Sequence, residues 1–158
     1  MKGNPEIIKV LNELLSDELT AIHQYIVEAE MCANWGYTKL HEAFEKIAID
    51  EMKHAEWLIE RILFFEGHPA IKLGELNIGK TVPDMVGSVA TAEADAVKAY
   101  NAGIALAREA ADEGTVELLT KILKMEEGHI DWAEAQMDQI EQMGLPNYLS
   151  MQTEGASE

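Results

Sequence analysis

Apolar residues recur at spacings of three and four along four long stretches of the chain, which is the pattern of amphipathic α-helices. The stripe of the last long helix, for example, consists of Leu119, Ile122, Ala133, Met137 and Ile140. Helix-capping residues and glycine or proline breakers separate the stretches. Long helices are therefore predicted at residues 5–34, 37–66, 82–111 and 116–143, followed by a short helix at 147–153 and a frayed tail at 154–158.

The connections between these helices predict the topology. Short turns follow the first and third helices, so each pair of helices forms an antiparallel hairpin. The middle connection has about 14 residues and reaches about 46–50 Å when extended, whereas a helix of about 30 residues is about 45 Å long. It can therefore cross the whole bundle. We expect an all-α, single-domain fold over residues 1–158: a four-helix bundle with one long crossover and a short fifth helix.

Six polar residues replace apolar ones in the inward-facing stripes, near the middle of each long helix. They are Glu18, Glu51, His54, Glu93, Glu126 and His129. The second half of the chain repeats the first with an offset of 75 residues, because Glu18 corresponds to Glu93 and Glu51 to Glu126. The same offset relates the two histidines, Tyr25 to Tyr100, and Trp57 to Trp132. The sequence therefore predicts two copies of one helix hairpin around a polar centre with pseudo-twofold symmetry.

Four carboxylates at one depth of a bundle repel one another or take up protons unless cations neutralise them. No lysine or arginine occupies an inward position at that level. Two divalent cations would balance four glutamates with neutral histidines, and an i, i+3 spacing places each Glu and its His on one helical face. Carboxylates with imidazole favour iron or manganese over copper or structural zinc. The alternative is a protonated or water-filled acidic core without metal.

Composition excludes several classes of function. The chain has 12 Lys and Arg against 29 Asp and Glu, a net charge of −17, which disfavours binding to nucleic acid or anionic lipid. Its single cysteine excludes an intrachain disulfide, a four-cysteine zinc site and a rubredoxin-type iron centre. The start lacks a signal-peptide pattern, and no apolar run is long enough to span a membrane, so a cytoplasmic location is expected.

Several segments together make the chain resemble the bacterioferritins along nearly its whole length. They are residues 1–3 (MKG), 50–55 (DEMKHA), 60–64 (ERILF), 76–79 (LNIG), 126–132 (EEGHIDW) and 143–145 (MGL). The resemblance implies a ferritin-like bundle that assembles into a cage of about two dozen identical subunits. It also implies iron storage, with Fe(II) oxidised by dioxygen or peroxide at a di-iron ferroxidase centre.

The resemblance assigns roles to individual residues. Glu18 and His54 would bind one iron and Glu93 and His129 the other, with Glu51 and Glu126 shared between the two irons. Tyr25 matches the family's tyrosine beside this centre. Its expected role is a hydrogen bond or one-electron redox chemistry, and the alternative is a core tyrosine with a satisfied hydroxyl.

Met52 follows Glu51 and therefore points about 100° away from the polar centre. Position alone favours packing at a subunit contact, together with Ile49 and Ile59 on the same face. The resemblance instead implies that Met52 from each of two subunits ligates a haem, usually of b type, on the dimer axis. That haem would aid electron transfer during iron release, with a small ferredoxin as donor.

The chain departs from the family pattern at two positions. Asp50 precedes Glu51, where it could accept a hydrogen bond from a histidine of the opposite helix, but Met125 precedes Glu126. Lys46 stands where some family members carry a histidine of an inner-surface iron site. Two other functions remain open: a rubrerythrin-like peroxidase, which the missing cysteines disfavour, and a haem electron carrier or cage whose metal pair is only structural.

Overall fold

A computed structural model describes residues 1–153, and all its regular elements are helices within that range. The predicted tail at 154–158 lies outside the described residues. The elements are α1 (Pro5–Asn34), α2 (Thr38–Phe64), α3 (Val82–Glu109), α4 (Glu113–Met143) and α5 (Leu145–Met151). Within residues 1–153, no helix combines the length and the apolar character that a membrane crossing requires.

The predicted bundle topology is confirmed by contacts between the helices. Tyr25 bonds to Glu93 and Tyr100 to Glu18, so α1 and α3 are antiparallel. The helices α1 and α2 form one hairpin, and α3 and α4 form the other. Since α2 and α3 both run antiparallel to α1, they are parallel to each other, and residues 65–81 make the long crossover between them.

The bounds of α1, the start of α3 and the end of α4 are as predicted, and the other helix ends differ from the prediction by one to three residues. The predicted α2 and α3 ran on to Glu66 and Ala111, but the backbone φ angles there are +59° and +56°, a left-handed conformation in which helices end. The predicted start of α4 was also too late. Asp112 is its N-cap, since the Asp112 carboxylate accepts the backbone N–H of Thr115 at 3.1 Å. The short α5 begins two residues earlier than predicted.

The crossover is fastened to one polar stripe of α1. Four side chains of α1 are spaced four residues apart and thus lie on one helical face, where they bind the backbone of residues 72–79. Ser16 donates to the Lys72 carbonyl, and the other three accept backbone N–H groups of residues 74, 77 and 79. These side chains are Ser16, Thr20, Gln24 and Glu28, with heavy-atom distances of 2.8, 2.8, 3.4 and 3.1 Å. The crossover therefore covers the outside of the bundle instead of looping into solvent.

The core consists of two apolar clusters on either side of the polar centre. One contains Leu11, Leu58 and Leu119, and the other contains Phe44 and Val89. One predicted core residue was wrong, since Met137 is 44% exposed. Several further members of the predicted stripes are only half-buried: Ile8, Ile22, Val97 and Ile140.

Candidate metal centre

All six predicted ligand residues meet between the two apolar clusters. Each is buried, with at most 6% of its surface exposed. Their potential ligand atoms form two overlapping groups, within each of which the atoms lie within 4.8 Å of one another. The first group is Glu18, Glu51, His54 and Glu126, and the second is Glu51, Glu93, Glu126 and His129. Glu51 and Glu126 belong to both groups, as a pair of shared ligands must.

Both histidines turn the same ring atom towards the carboxylates. His54 Nδ1 lies 2.7 Å from Glu126 Oε1 and 3.2 Å from Glu51 Oε2. His129 Nδ1 lies 3.0 Å from Glu51 Oε1 and 3.6 Å from Glu93 Oε1. The Nε2 atoms point the other way, so a cation between the carboxylates would meet Nδ1 of each ring.

Two tyrosines hold the outer carboxylates from opposite sides. Tyr25 donates its hydroxyl to Glu93 Oε1 at 2.9 Å, and Tyr100 donates to Glu18 Oε1. Burial, reinforced by the neighbouring carboxylates, raises the pKa of both phenols well above 10, so both remain protonated donors. This bond satisfies the Tyr25 hydroxyl and fits both the expected hydrogen-bonding role and the alternative of a core tyrosine, so the role of Tyr25 at the centre stays a prediction. Tyr100 was not predicted as a site residue, although the 75-residue offset from Tyr25 already pointed to it.

Without a bound cation, protons compensate part of the negative charge. Burial lowers the pKa of His54, but Glu126 and Glu18 outweigh burial and raise the pKa to about 9. Burial raises the pKa of Glu126, but His129 and His54 outweigh it and hold the pKa at about 2. Burial and the adjacent Glu18 and Glu126 charges raise the pKa of Glu51 well above 4.5. A divalent cation would therefore displace protons on binding.

The donor set is suited to a pair of divalent cations. Glu18 Oε2 and Glu93 Oε2 are buried but accept no hydrogen bond within residues 1–153. Buried carboxylate oxygens without donors are costly, and cation coordination removes that cost. Because the two groups share two glutamates, cations held by them would be close neighbours.

A cavity of about 360 Å³ connects the polar centre with the outside of the bundle, between α1, α3 and the crossover. All four ligand glutamates contribute to its wall. Nearer the surface the wall includes the exposed acidic residues Asp17, Glu75 and Asp95. The negative charge along this path would favour cations over anions.

Met52 lies outside the metal centre, as its position after Glu51 predicted. Its side chain is 45% exposed on the outer face of α2, and Ile49 on the same face is 43% exposed. The predicted hydrogen bond of Asp50 is present, since Asp50 Oδ2 lies 3.2 Å from His129 Nε2. Lys46 Nζ donates to the same oxygen at 3.1 Å.

Comparison with known proteins gives the family. The ferritin-like domain family matches residues 8–143, and bacterioferritin from Mycobacterium bovis is 38% identical over 149 residues, which cover 94% of each chain. The chain belongs to the bacterioferritin family. The bacterial ferritin of Pseudomonas aeruginosa is 37% identical over 96% of this chain and 99% of its own. The bacterioferritin of Streptomyces coelicolor is 39% identical over 95% and 90% of the two chains. The predicted family and fold are thus confirmed.

Proposed function

We propose that this bacterioferritin stores iron, and that it oxidises Fe(II) at the buried centre before storage. The observation that carries the proposal is the overlap of the two ligand groups, in which Glu51 and Glu126 are common to both. Two Fe(II) ions are the substrate, and each gives one electron to the oxidant. With two electrons and two protons, dioxygen becomes hydrogen peroxide, or hydrogen peroxide becomes two water molecules. Ligation by four carboxylates favours the higher charge of Fe(III), because the added positive charge lies among anionic oxygens.

The protein residues have distinct tasks in this proposal. Glu18 and His54 would hold one iron and Glu93 and His129 the other, while Glu51 and Glu126, which belong to both groups, would contribute to both. Tyr25 and Tyr100 orient the outer glutamates through O–H donors that stay protonated. This leaves the second oxygen of each outer carboxylate free for the metal.

The acidic cavity between α1 and α3 is the proposed path of Fe(II) to the centre. Its exposed end carries carboxylates and its buried end carries the ligands, so an Fe(II) ion meets negative charge along the way. The departure at Lys46 supports this direction, because Lys46 places a cation rather than a histidine ligand beside Asp50. We therefore expect Fe(II) to reach the centre through the acidic cavity between α1 and α3.

The finer assembly also belongs to the proposal. Single-domain subunits would form a cytoplasmic cage of 24 copies, and Met52 of two subunits would bind one haem, of b type, on each dimer axis. The half-exposed Met52 thioether beside Ile49 suits such a ligand, since it offers a sulfur and an apolar surface to a partner. The haem would carry electrons from a small ferredoxin for iron release.

The test is Fe(II) oxidation by metal-free protein in air, followed by stopped-flow absorbance. Wild-type protein should show a fast phase of two Fe(II) per subunit, and Glu126→Ala should lose it. Glu127→Ala is the matched control, since Glu127 is the exposed neighbour on the same helix. Equally slow traces from wild type and Glu126→Ala would refute the ferroxidase assignment and favour a structural metal pair, with Met52 as the functional residue.

A further inference from the structure

The two halves of the metal centre differ in what lies behind each histidine. Behind His129, the Nε2 atom is 3.2 Å from the carboxylate oxygen of Asp50. Behind His54, the Nε2 atom is 3.3 Å from the thioether sulfur of Met125. Asp50 and Met125 are themselves related by the 75-residue offset, so the difference is a break in an otherwise symmetric centre.

This difference matters once a cation occupies Nδ1, because the ring proton then stays on Nε2 and must be donated outwards. A carboxylate is a strong acceptor of that hydrogen bond, fixes the ring and makes the imidazole a better metal ligand. A thioether sulfur is only a weak acceptor. His129 is therefore the better-supported ligand of the two.

A second difference between the two halves also favours a cation at the His129 position. Lys121 Nζ lies 3.6 Å from the centre of the Trp57 ring, and that ring lies 5.7 Å from the His54 ring. Lys121 corresponds to Lys46 by the 75-residue offset, but Lys46 is paired with Asp50. The Lys121 charge thus lies on the far side of the Trp57 ring from His54, and position 125 carries no aspartate to balance it, which disfavours a cation on that side.

We propose that the two metal positions are unequal, and that Met125 is the positioning residue that makes them so. The position formed by Glu93 and His129 binds a divalent cation first and more tightly, and that of Glu18 and His54 fills second. Replacing outer hydrogen-bond partners of metal-bound histidines changes affinity about 10–100-fold. Lys46 shares the acceptor oxygen of Asp50, so the lower end, about tenfold, is expected here. The inference rests on the proposed dinuclear centre.

The test is a titration of metal-free protein with Co²⁺ under anaerobic conditions, followed by calorimetry and by the visible absorption of bound Co²⁺. Wild type should bind in two steps of one ion per subunit. Met125→Asp should strengthen Co²⁺ binding in the second step and reduce the ratio of the two dissociation constants about tenfold. Lys121 lies one turn before position 125, as Lys46 lies one turn before Asp50, so the new carboxylate has a cation within reach. Met125→Leu adds no hydrogen-bond acceptor and is the matched control. It should keep the wild-type ratio of the two dissociation constants.

Two adjacent cations repel each other, so the second would bind more weakly than the first even if the two positions were identical. The experiment must therefore also show which position fills first. His129→Ala should weaken the first step and change the spectrum at one equivalent of Co²⁺. His54→Ala removes a contact of the shared ligands Glu51 and Glu126, so it should weaken the first step somewhat, but less than His129→Ala does. Its largest effect should be on the second step. An unchanged ratio of the two dissociation constants in Met125→Asp, or a first step that His54→Ala weakens more than His129→Ala, would overturn the inference. Binding of fewer than two ions by wild type, or of both by Glu126→Ala, would instead contradict the proposed dinuclear centre.

Discussion

Glu28 is a buried carboxylate that the metal centre does not use, and replacing it with glutamine should change how stability depends on pH. Its side chain is fully buried beneath the crossover. Its Oε1 accepts the Gly79 N–H at 3.1 Å and lies 3.3 Å from the Gln24 amide nitrogen. Its Oε2 has no hydrogen-bond partner within residues 1–153. Burial outweighs both donors and raises its pKa from 4.5 to about 7.

The sign follows from proton binding. Between pH 4.5 and pH 7 the folded protein keeps the Glu28 proton while the unfolded chain loses it, so the free energy of unfolding falls as pH rises. Below pH 4.5 both states are protonated, and above pH 7 both are ionised, so the contribution is constant there. A shift of this size costs about 3 kcal/mol at pH 8. Most of that cost, about 2–3 kcal/mol, develops between pH 5 and pH 8.

Glu28→Gln keeps an acceptor for Gly79 but cannot ionise. Whatever its stability at pH 5, the variant should gain about 2–3 kcal/mol relative to wild type by pH 8, roughly 5–10 °C in Tm for a chain of this length. Calorimetric unfolding of metal-free protein at both pH values measures the gain. Glu30→Gln is the control, since the Glu30 side chain is 70% exposed on the same helix. A Tm difference between Glu28→Gln and wild type that is the same at both pH values would show that Glu28 does not ionise in this range.

Three further predictions concern packing, an ion pair and haem. Gly79→Ala should lower the free energy of unfolding by about 1–3 kcal/mol, because the new Cβ would lie 2.7 Å from a backbone nitrogen of α3. Gly87→Ala meets open space in the described structure and should raise it by about 0.5–1 kcal/mol. Equal melting temperatures would contradict this pair. Arg61→Ala removes a 2.8 Å ion pair with Asp112 and stacking 4.5 Å from the Phe65 ring, and should lower the free energy of unfolding in urea by about 2–3 kcal/mol. Arg108→Ala, in an exposed 4.0 Å pair, should change it by less than about 0.5 kcal/mol. Met52→Leu should abolish haem absorbance but retain fast Fe(II) oxidation, and haem retained at wild-type stoichiometry would exclude Met52 as its ligand.

The bundle and its polar centre could be predicted because each rests on regular spacing. Apolar periodicity with breakers indicates long helices, and the 75-residue offset relates glutamates and histidines that the fold brings together. The failure at Met137 shows the limit of such spacing. From Ala133, a step of three reaches Gln136 and a step of four reaches Met137, and both lie near the same face. The structure turns the Gln136 side of the helix towards α5, where half-buried Gln136 accepts the Tyr148 hydroxyl at 2.7 Å.

The attachment of the crossover could not be predicted from apolar patterning. Ser16, Thr20, Gln24 and Glu28 form a polar stripe of the kind that normally faces solvent. Only the path of residues 72–79 shows that these side chains bind backbone groups. The chain contained a signal, since each of the four residues can accept or donate a hydrogen bond at a strict four-residue spacing. That signal does not reveal which segment supplies the partners.

In the proposed function, the four glutamates and two histidines together hold two iron ions. Crystals of the metal-free protein soaked anaerobically with Fe(II) would test it through anomalous scattering at the iron edge. We predict two peaks per subunit, one beside Glu18 and His54 and one beside Glu93 and His129, with Glu51 and Glu126 in contact with both. A single peak, or peaks only elsewhere in the subunit, would show that these six residues do not hold two iron ions.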